Sequence, residues 1–279
     1  MERVEAAAVS QVPVGIRHCR TIAEYEECLH LERVTWGQGI LVPTAIFVVA
    51  QETGGQILGA YAGNEMVGFT LALAGVHEGR PFLHSHMTAV LEPFRDRGVG
   101  RKLKLFQRND ALARGFQLVE WTFDPLELKN AHFNFMRLGA IARRFIPNCY
   151  GVTESPLHAS MPTDRLVAEW WLDSPRVNSL LAASAPTEGH SQATQPQTQI
   201  EPPVCAATIS VPLDVTELRQ RDRAAAQKIQ SDVRAQFESC FARGYAATGI
   251  ATRGANAEYM LQPVASVAAE IFPANRNQH

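Results

Sequence analysis

Apolar and polar positions along the first 175 residues alternate in blocks that predict short strands and a few amphipathic helices. Gln56–Ala62 and Met66–Ala74 read as the two strands of a hairpin around Gly63-Asn64-Glu65, entered from a Gly54-Gly55 turn. Phe82–Val90 is a further strand. Ahead of the hairpin, Ile16–Arg20 predicts a first strand. Thr21, followed three residues later by Glu24, forms a capping box that opens a helix running to about Thr35. Leu41–Ala50 is broken by Pro43 and then carries the apolar run Ile46-Phe47-Val48-Val49. Val99–Arg114 places Val99, Leu103 and Phe106 on one helical face, and Gly115 ends that helix. Gln117–Phe123 reads as a strand stopped by Asp124-Pro125. Leu128–Leu138 reads as a helix closed by Gly139. Ala140–Ile146 and Arg165–Leu172 read as strands.

This order predicts an α/β chain of α+β type, with a mixed, mostly antiparallel sheet flanked by helices and a late strand–helix–strand crossover. Residues 1–14 are expected to form a disordered start, and residues 15–176 the main domain. Residues 177–205 are rich in Ala, Ser, Thr, Gln and Pro and read as a flexible linker. Residues 206–264 are expected to form a small C-terminal α/β unit. Its strand is Thr208–Leu213 and its single long helix Glu217–Arg243, followed by short strands at Tyr245–Ala251 and Glu258–Val264. Residues 265–279 read as a loose tail.

Composition narrows the partners. The 279 residues are 46% hydrophobic and 19% charged, with a formal net charge of −2. No global basic field points to nucleic acid. No apolar run reaches the ~18 residues of a membrane span. The first residues include Glu2 and Glu5 and lack the apolar core of a signal peptide. Five scattered cysteines with no C-x-x-C fit reduced thiols in a cytoplasm, and no Cys/His spacing suits zinc, so no metal is expected.

Chemistry concentrates in Arg95-Asp96-Arg97-Gly98-Val99-Gly100-Arg101-Lys102, between a strand and a helix. Glycines there let main chain approach a phosphate closely, and the helix N-terminus adds partial positive charge. Four basic side chains surround the turn. It lacks the Gly-x-x-x-x-Gly-Lys-Ser/Thr pattern, and Asp96 stands where a dinucleotide fingerprint has its first glycine.

The loop resembles the pyrophosphate loop of the GNAT acyl-CoA N-acyltransferase superfamily, Arg/Gln-x-x-Gly-x-Gly/Ala, with Arg95, Gly98 and Gly100 at the fixed positions. The resemblance extends over about residues 14–175, and Leu83–Tyr150 is similar to a bacterial branch of predicted acetyltransferases. It implies that Val90 pairs through its backbone with the pantetheine arm. Arg95, Arg97, Gly98, Val99, Gly100 and Arg101 would hold the pyrophosphate, and Asn130 and Asn134 would lie on the helix flanking the pantetheine. Acetyl-CoA or another acyl-CoA, succinyl-CoA included, would be the co-substrate.

Acyl transfer needs a base for the ammonium of the acceptor. His84 and His86 are the candidates. Simple alternation would put both on one face with Thr88 and Val90. The arylalkylamine N-acetyltransferases carry a similar histidine pair, and other GNAT enzymes place a glutamate at the position of His84. One position departs from the family. The tyrosine that often protonates the leaving thiolate maps to Phe135, so Tyr150 is the alternative acid. The expected function is transfer of an acetyl or other short acyl group to the amine of a small molecule, with amino acids among the candidates, by direct attack in a ternary complex. A non-catalytic CoA-binding sensor or scaffold and a protein lysine acetyltransferase are the rivals, and a homodimer is left open. The protein acetyltransferase would need an acidic groove, and no acidic run supplies one.

Overall fold

The structure, a computed structural model, describes residues 12–37, 41–77, 79–151, 161–183 and 207–273. Most of the expected disordered start, nearly all of the expected linker from residue 184 on, Cys205 and the end of the expected tail lie outside the described residues. The chain divides into two compact units. One holds residues up to Trp121. The other runs from Thr122 to Val152 and from Met161 onward.

The first unit builds β1 (Val14–His18), α1 (Ile22–Trp36), α2 (Thr44–Glu52), β2 (Gln56–Ala62), β3 (Glu65–His77), β4 (Arg80–Val90), α3 (Val99–Ala113) and the first part of β5 (Leu118–Phe123). Strand order follows chain order from β1 to β5. β1–β2, β2–β3 and β3–β4 are antiparallel, and β4–β5 is parallel. The mixed, mostly antiparallel sheet expected from the sequence is therefore present.

Local chemistry explains the helices. The Thr21 hydroxyl accepts from the Glu24 N–H, while the Glu24 carboxylate accepts from the backbone N–H groups of Thr21 and Arg20. Burial works against that carboxylate, but these bonds and the Arg17 guanidinium outweigh it and bring its pKa down to about 2. The apolar run after Pro43 forms the helix α2. Its Phe47 and Ala50 are buried, whereas Ile46, Val48 and Val49 remain exposed. α1 and α2 cover one face of the sheet through a core containing Tyr25, Leu29, Phe47, Phe69, Leu71, Met87 and Ala89. A second cluster, formed by Leu58, Val67, Phe94, Val99 and Leu103, seats the start of α3.

The second unit contains the end of β5, α4 (Leu128–His132), β6 (Ile141–Ile146), β7 (Arg165–Trp171), α5 (Pro175–Ala183), β8 (Ala207–Pro212), α6 (Val215–Arg221), α7 (Arg223–Ala242), β9 (Tyr245–Arg253), β10 (Asn256–Pro263) and α8 (Val264–Ile271). Its strands run β7-β6-β9-β10-β8, all antiparallel. The strip from residue 206 packs on the chain before it, as expected for so small a unit: β9 pairs with β6, and the buried Tyr259 hydroxyl donates to the carbonyl of Pro125. Several expectations change here. The expected linker begins inside α5, and the expected tail begins with α8, whose Val267 and Ile271 pack on Ile141. The single helix Glu217–Arg243 is two helices. Asp222 leaves helical geometry and caps the second by accepting from the Ala225 N–H at 3.0 Å. The pair Trp170-Trp171 faces opposite ways, as strand geometry demands. Trp170 is buried, while Trp171 lies half-buried with its ring edge-on to Phe272.

A buried ion cluster ties this unit together. Arg219 on α6 reaches the Asp124 carboxylate at 2.7 Å and Glu127 at 2.9 Å, with Arg165 at 3.9 Å from Asp124. Asp124 also accepts from the Leu126 N–H. Removing one partner from such a cluster leaves an uncompensated buried charge. Asp124→Ala is expected to cost ~3–5 kcal/mol of stability in urea unfolding. A loss below ~1 kcal/mol would mean that the cluster is energetically idle.

Candidate functional site

Chain geometry between β4 and α3 makes an anion cradle. Asp96 and Gly98 both have positive φ, 56° and 76°. Gly98 is the N-cap of α3 and offers no side-chain cap. The first helical bond runs from the Lys102 N–H to the Gly98 carbonyl, so the N–H groups of Val99, Gly100 and Arg101 precede any intrahelical partner. Those three donors, at the positive end of a fifteen-residue helix, suit an anion. A Cβ built on Gly98 meets nothing within 4 Å, and on Gly100 only Val90 Cγ2 at 4.0 Å. The space over both glycines is therefore open to a ligand.

Arg95 and Arg97 are exposed. The Arg95 Nε–H donates to the Val90 carbonyl at 2.9 Å, and Arg97 donates to the Pro93 carbonyl while lying over the Phe94 ring. Val90 thus has its carbonyl committed to Arg95. Val99 is buried in the cluster beneath the loop, and Arg101 and Gly100 are half-buried.

The histidine strand departs from simple alternation. β3 and β4 are in register from Val90 back to Met87, which faces Leu71. The next pair is Ser85 with Ala72, leaving His86 as an inserted residue. Such a bulge reverses the facing of everything beyond it. Ser85, Thr88 and Val90 consequently share one face, confirmed by contacts of the Thr70 hydroxyl with Ser85 and Thr88 at 3.4 and 2.8 Å. His84 pairs with Leu73 and lies on the other face, with Met87 and Ala89. The expectation that His84 and Val90 share a face is corrected by this one residue. The two histidines nevertheless stay together, with ring centroids 6.2 Å apart. His86 is open to solvent, but nearby protein removes enough water to lower its pKa below the usual 6.5.

β4 pairs with β5 at only Leu83↔Val119 and His84↔Glu120. From Ser85 to Val90, β4 has pairing to β3 alone among the described residues, so every second residue directs its N–H and C=O away from β3. Direct register places Glu120 beside His84 on the same face. Glu120 is buried, within a segment that the sequence marks only as the strand Gln117–Phe123.

The remaining candidates belong to the second unit. Asn130 is exposed on α4. The helix expected over Leu128–Leu138 widens after His132 into a π-helical turn, Phe133–Leu138, closed by Gly139 at φ 78°. Asn134 lies inside that turn, 1% exposed, and its Nδ2 has no hydrogen-bond partner. π-turns recur at functional sites. Phe135 is fully buried, edge-on to Phe123 and Tyr259. Tyr150 is exposed, and its hydroxyl is 2.8 Å from Thr122 Oγ1. Desolvation raises its pKa. His132 is exposed and Cys149 half-buried with a free thiol. Arg143 is engaged by Glu169. No cluster of three or more His, Cys, Asp or Glu side chains is placed to hold a metal among the described residues, and no described helix is long and apolar enough to cross a membrane.

Strand, glycine turn and uncapped helix together define a mixed α/β protein with an anion cradle next to a histidine strand. The solved structures similar to it include the following. Arabidopsis thaliana Naa50, in complex with the bisubstrate analogue CoA-Ac-MVNAL, is 17% identical, with 56% of this chain and 97% of that chain covered and a TM-score of 0.46. The ribosomal-protein-S18-alanine N-acetyltransferase from Escherichia coli is 16% identical, covering 56% and 92% with a TM-score of 0.45. An aminoglycoside acetyltransferase from an uncultured soil metagenomic sample is 15% identical, covering 43% and 84% with a TM-score of 0.38. No family model and no curated protein matches the chain.

Proposed function

We propose that this protein is an acyl-CoA-dependent N-acyltransferase that moves an acetyl or other short acyl group to the amine of a small molecule. The observation that carries the reading is the direct succession of a half-unpaired strand bearing His84 and His86, a left-handed Gly98 and an uncapped helix. The α3 N-terminus with Gly98 and Gly100 would take the pyrophosphate, assisted by the exposed guanidiniums of Arg95 and Arg97. The unpaired backbone of β4 would accept the pantetheine amides as a neighbouring strand would. The residues of the second unit enter the reading on the sequence resemblance, Asn130 and Asn134 toward the pantetheine and Tyr150 as a proton donor.

In the reaction, a neutral imidazole takes a proton from the acceptor ammonium. The amine nitrogen then attacks the thioester carbonyl, the oxygen gains charge against strand N–H groups, and the C–S bond breaks. The CoA thiolate leaves and is protonated. Glu120, the register partner of His84 on β5, would orient the imidazole and stabilise its cation.

A CoA-binding module without turnover is the second reading, favoured by one observation: Phe135 is packed into the core and carries no proton. Calorimetric titration with acetyl-CoA, succinyl-CoA and CoA, followed by thiol release against pooled amines and amino acids, separates them. The transferase reading expects binding of all three and release only with an acceptor present. Binding without release from any pool favours the module, and absence of binding overturns the anion cradle.

A further inference from the structure

On the face of β4 opposite His84, one buried cation has no place in the chemistry above. Lys104 projects from α3 and is 5% exposed. Its Nζ donates to Ser85 Oγ at 2.7 Å and to Gln107 Oε1 at 3.1 Å, and lies 4.2 Å from the centre of the Trp121 ring. No carboxylate pairs with it among the described residues. A lysine held in this way is rare, because burying an ammonium without a counter-charge is strongly unfavourable.

Its two anchors sit at a particular place. Ser85 is the residue next to the inserted His86, and Trp121 follows Glu120, the last β5 residue paired with β4. We propose that Lys104 is a positioning residue for the histidine strand: its Nζ ties the β4 bulge to β5 where their pairing ends, and so fixes the placement of His86. The functional meaning of that placement rests on the acyl-transfer reading. The placement itself does not.

Desolvation brings the Lys104 pKa down to about 7. As an ammonium it offers three donors and attraction to the indole face, and as an amine it loses the second and weakens the first. The tie therefore loosens as pH rises through neutrality. Other charged groups surround it. On α3, Arg101 and Arg108 lie within about a turn, and Asp110 connects through Gln56, whose Nε2 donates to Asp110 Oδ2 and to the Gln107 carbonyl. On β4, His86 adjoins Ser85 and His84 faces away. On β5, Glu120 faces away with His84. β2 and β3 contribute Gln56 and Thr70, which do not titrate.

The test uses the full chain without ligand. Backbone amide shifts of Ser85 and His86, followed by NMR from pH 5.5 to 9, are expected to show a midpoint near 7. That midpoint should persist in His86→Gln, which removes the neighbouring imidazole, and vanish in Lys104→Met and Lys104→Arg. Arg keeps the charge at every pH, so it should hold the wild-type low-pH shifts, whereas Met should not. In thiol-release assays, Lys104→Met is expected to lower kcat about 10- to 100-fold with acetyl-CoA affinity held within about threefold, and Arg to restore most of kcat. An unchanged amide titration in Lys104→Met would overturn the proposal. A wild-type protein that shows the titration but never releases thiol would leave Lys104 supported and count against acyl transfer.

Discussion

Gly98→Val is expected to reduce acetyl-CoA affinity by about 100-fold or more in calorimetry, an effect of ~3 kcal/mol. Two causes act together. Gly98 has φ 76°, a left-handed conformation that costs a residue with a side chain ~1–2 kcal/mol and a β-branched one more. Relaxing that strain turns the Val99, Gly100 and Arg101 N–H groups away from a common point. The added side chain also fills space that is open in the structure, where an oxygen of a pyrophosphate would approach the main chain. Gly100→Ala is the informative companion. Its Cβ touches only Val90 Cγ2 at 4.0 Å and its backbone needs no left-handed geometry, so any affinity it loses reports ligand crowding alone. Equal affinity for wild type and Gly98→Val would remove the loop from the binding site.

Replacing both His84 and His86 by Gln is expected to lower kcat by ~10²–10⁴ while leaving acetyl-CoA affinity nearly unchanged. Glutamine keeps a hydrogen-bonding group of similar reach but cannot accept a proton near neutrality. The singles are expected to differ. His84 lies on the face lined by Met87 and Ala89 with Glu120 beside it, whereas His86 is the inserted, solvent-open residue. The pH dependence has a defined sign. A base must be neutral, and desolvation depresses the His86 pKa, so the rate should rise with pH through a midpoint below 6.5 if His86 is the base. A rate profile whose midpoint disappears in His84→Gln but persists in His86→Gln would assign the role to His84. A normal rate in the double variant would make the pair structural.

The sequence carried the elements whose signals are local. Thr21 and Glu24 mark the start of α1 because a capping box is complete within four residues. Gly63-Asn64 marks a hairpin, and Gly98 marks the cradle, since only the conformational freedom of glycine suits a left-handed helix start there. Signals that depend on a neighbouring strand were hidden. His84-Ser85-His86-Met87 alternates perfectly, and nothing in it announces that one residue has no partner on β3. Lys104 sits in Arg101-Lys102-Leu103-Lys104, a basic stretch near the start of a helix that gives no sign of one buried lysine. Only its helical spacing to the buried Gln107 and Ala111 hints that it points inward. Glu120 alternates with apolar Val119 and Trp121, the pattern of an exposed position, yet it is buried. The π-turn around Asn134 has no compositional marker at all. Asp222 was absorbed into one long helical stripe, although an Asp able to cap is also an Asp able to interrupt.

The pairing of β6 with β9 sets a timetable for synthesis. In the first unit, β3 and β4 each pair with the strand just before them in the chain, so these hairpins can close soon after they leave the ribosome. The second unit must wait. β6 lies between β7 and β9, and the Tyr259 hydroxyl seals against a carbonyl 134 residues earlier in the chain. Until β9 is made, the β6 edge and the apolar side of Phe135 lack their partners, leaving a sticky strand edge open to other nascent chains. Growth temperature and translation rate should therefore govern the soluble yield of this protein through its second unit, and early termination after α5 should give aggregates rather than a smaller folded product.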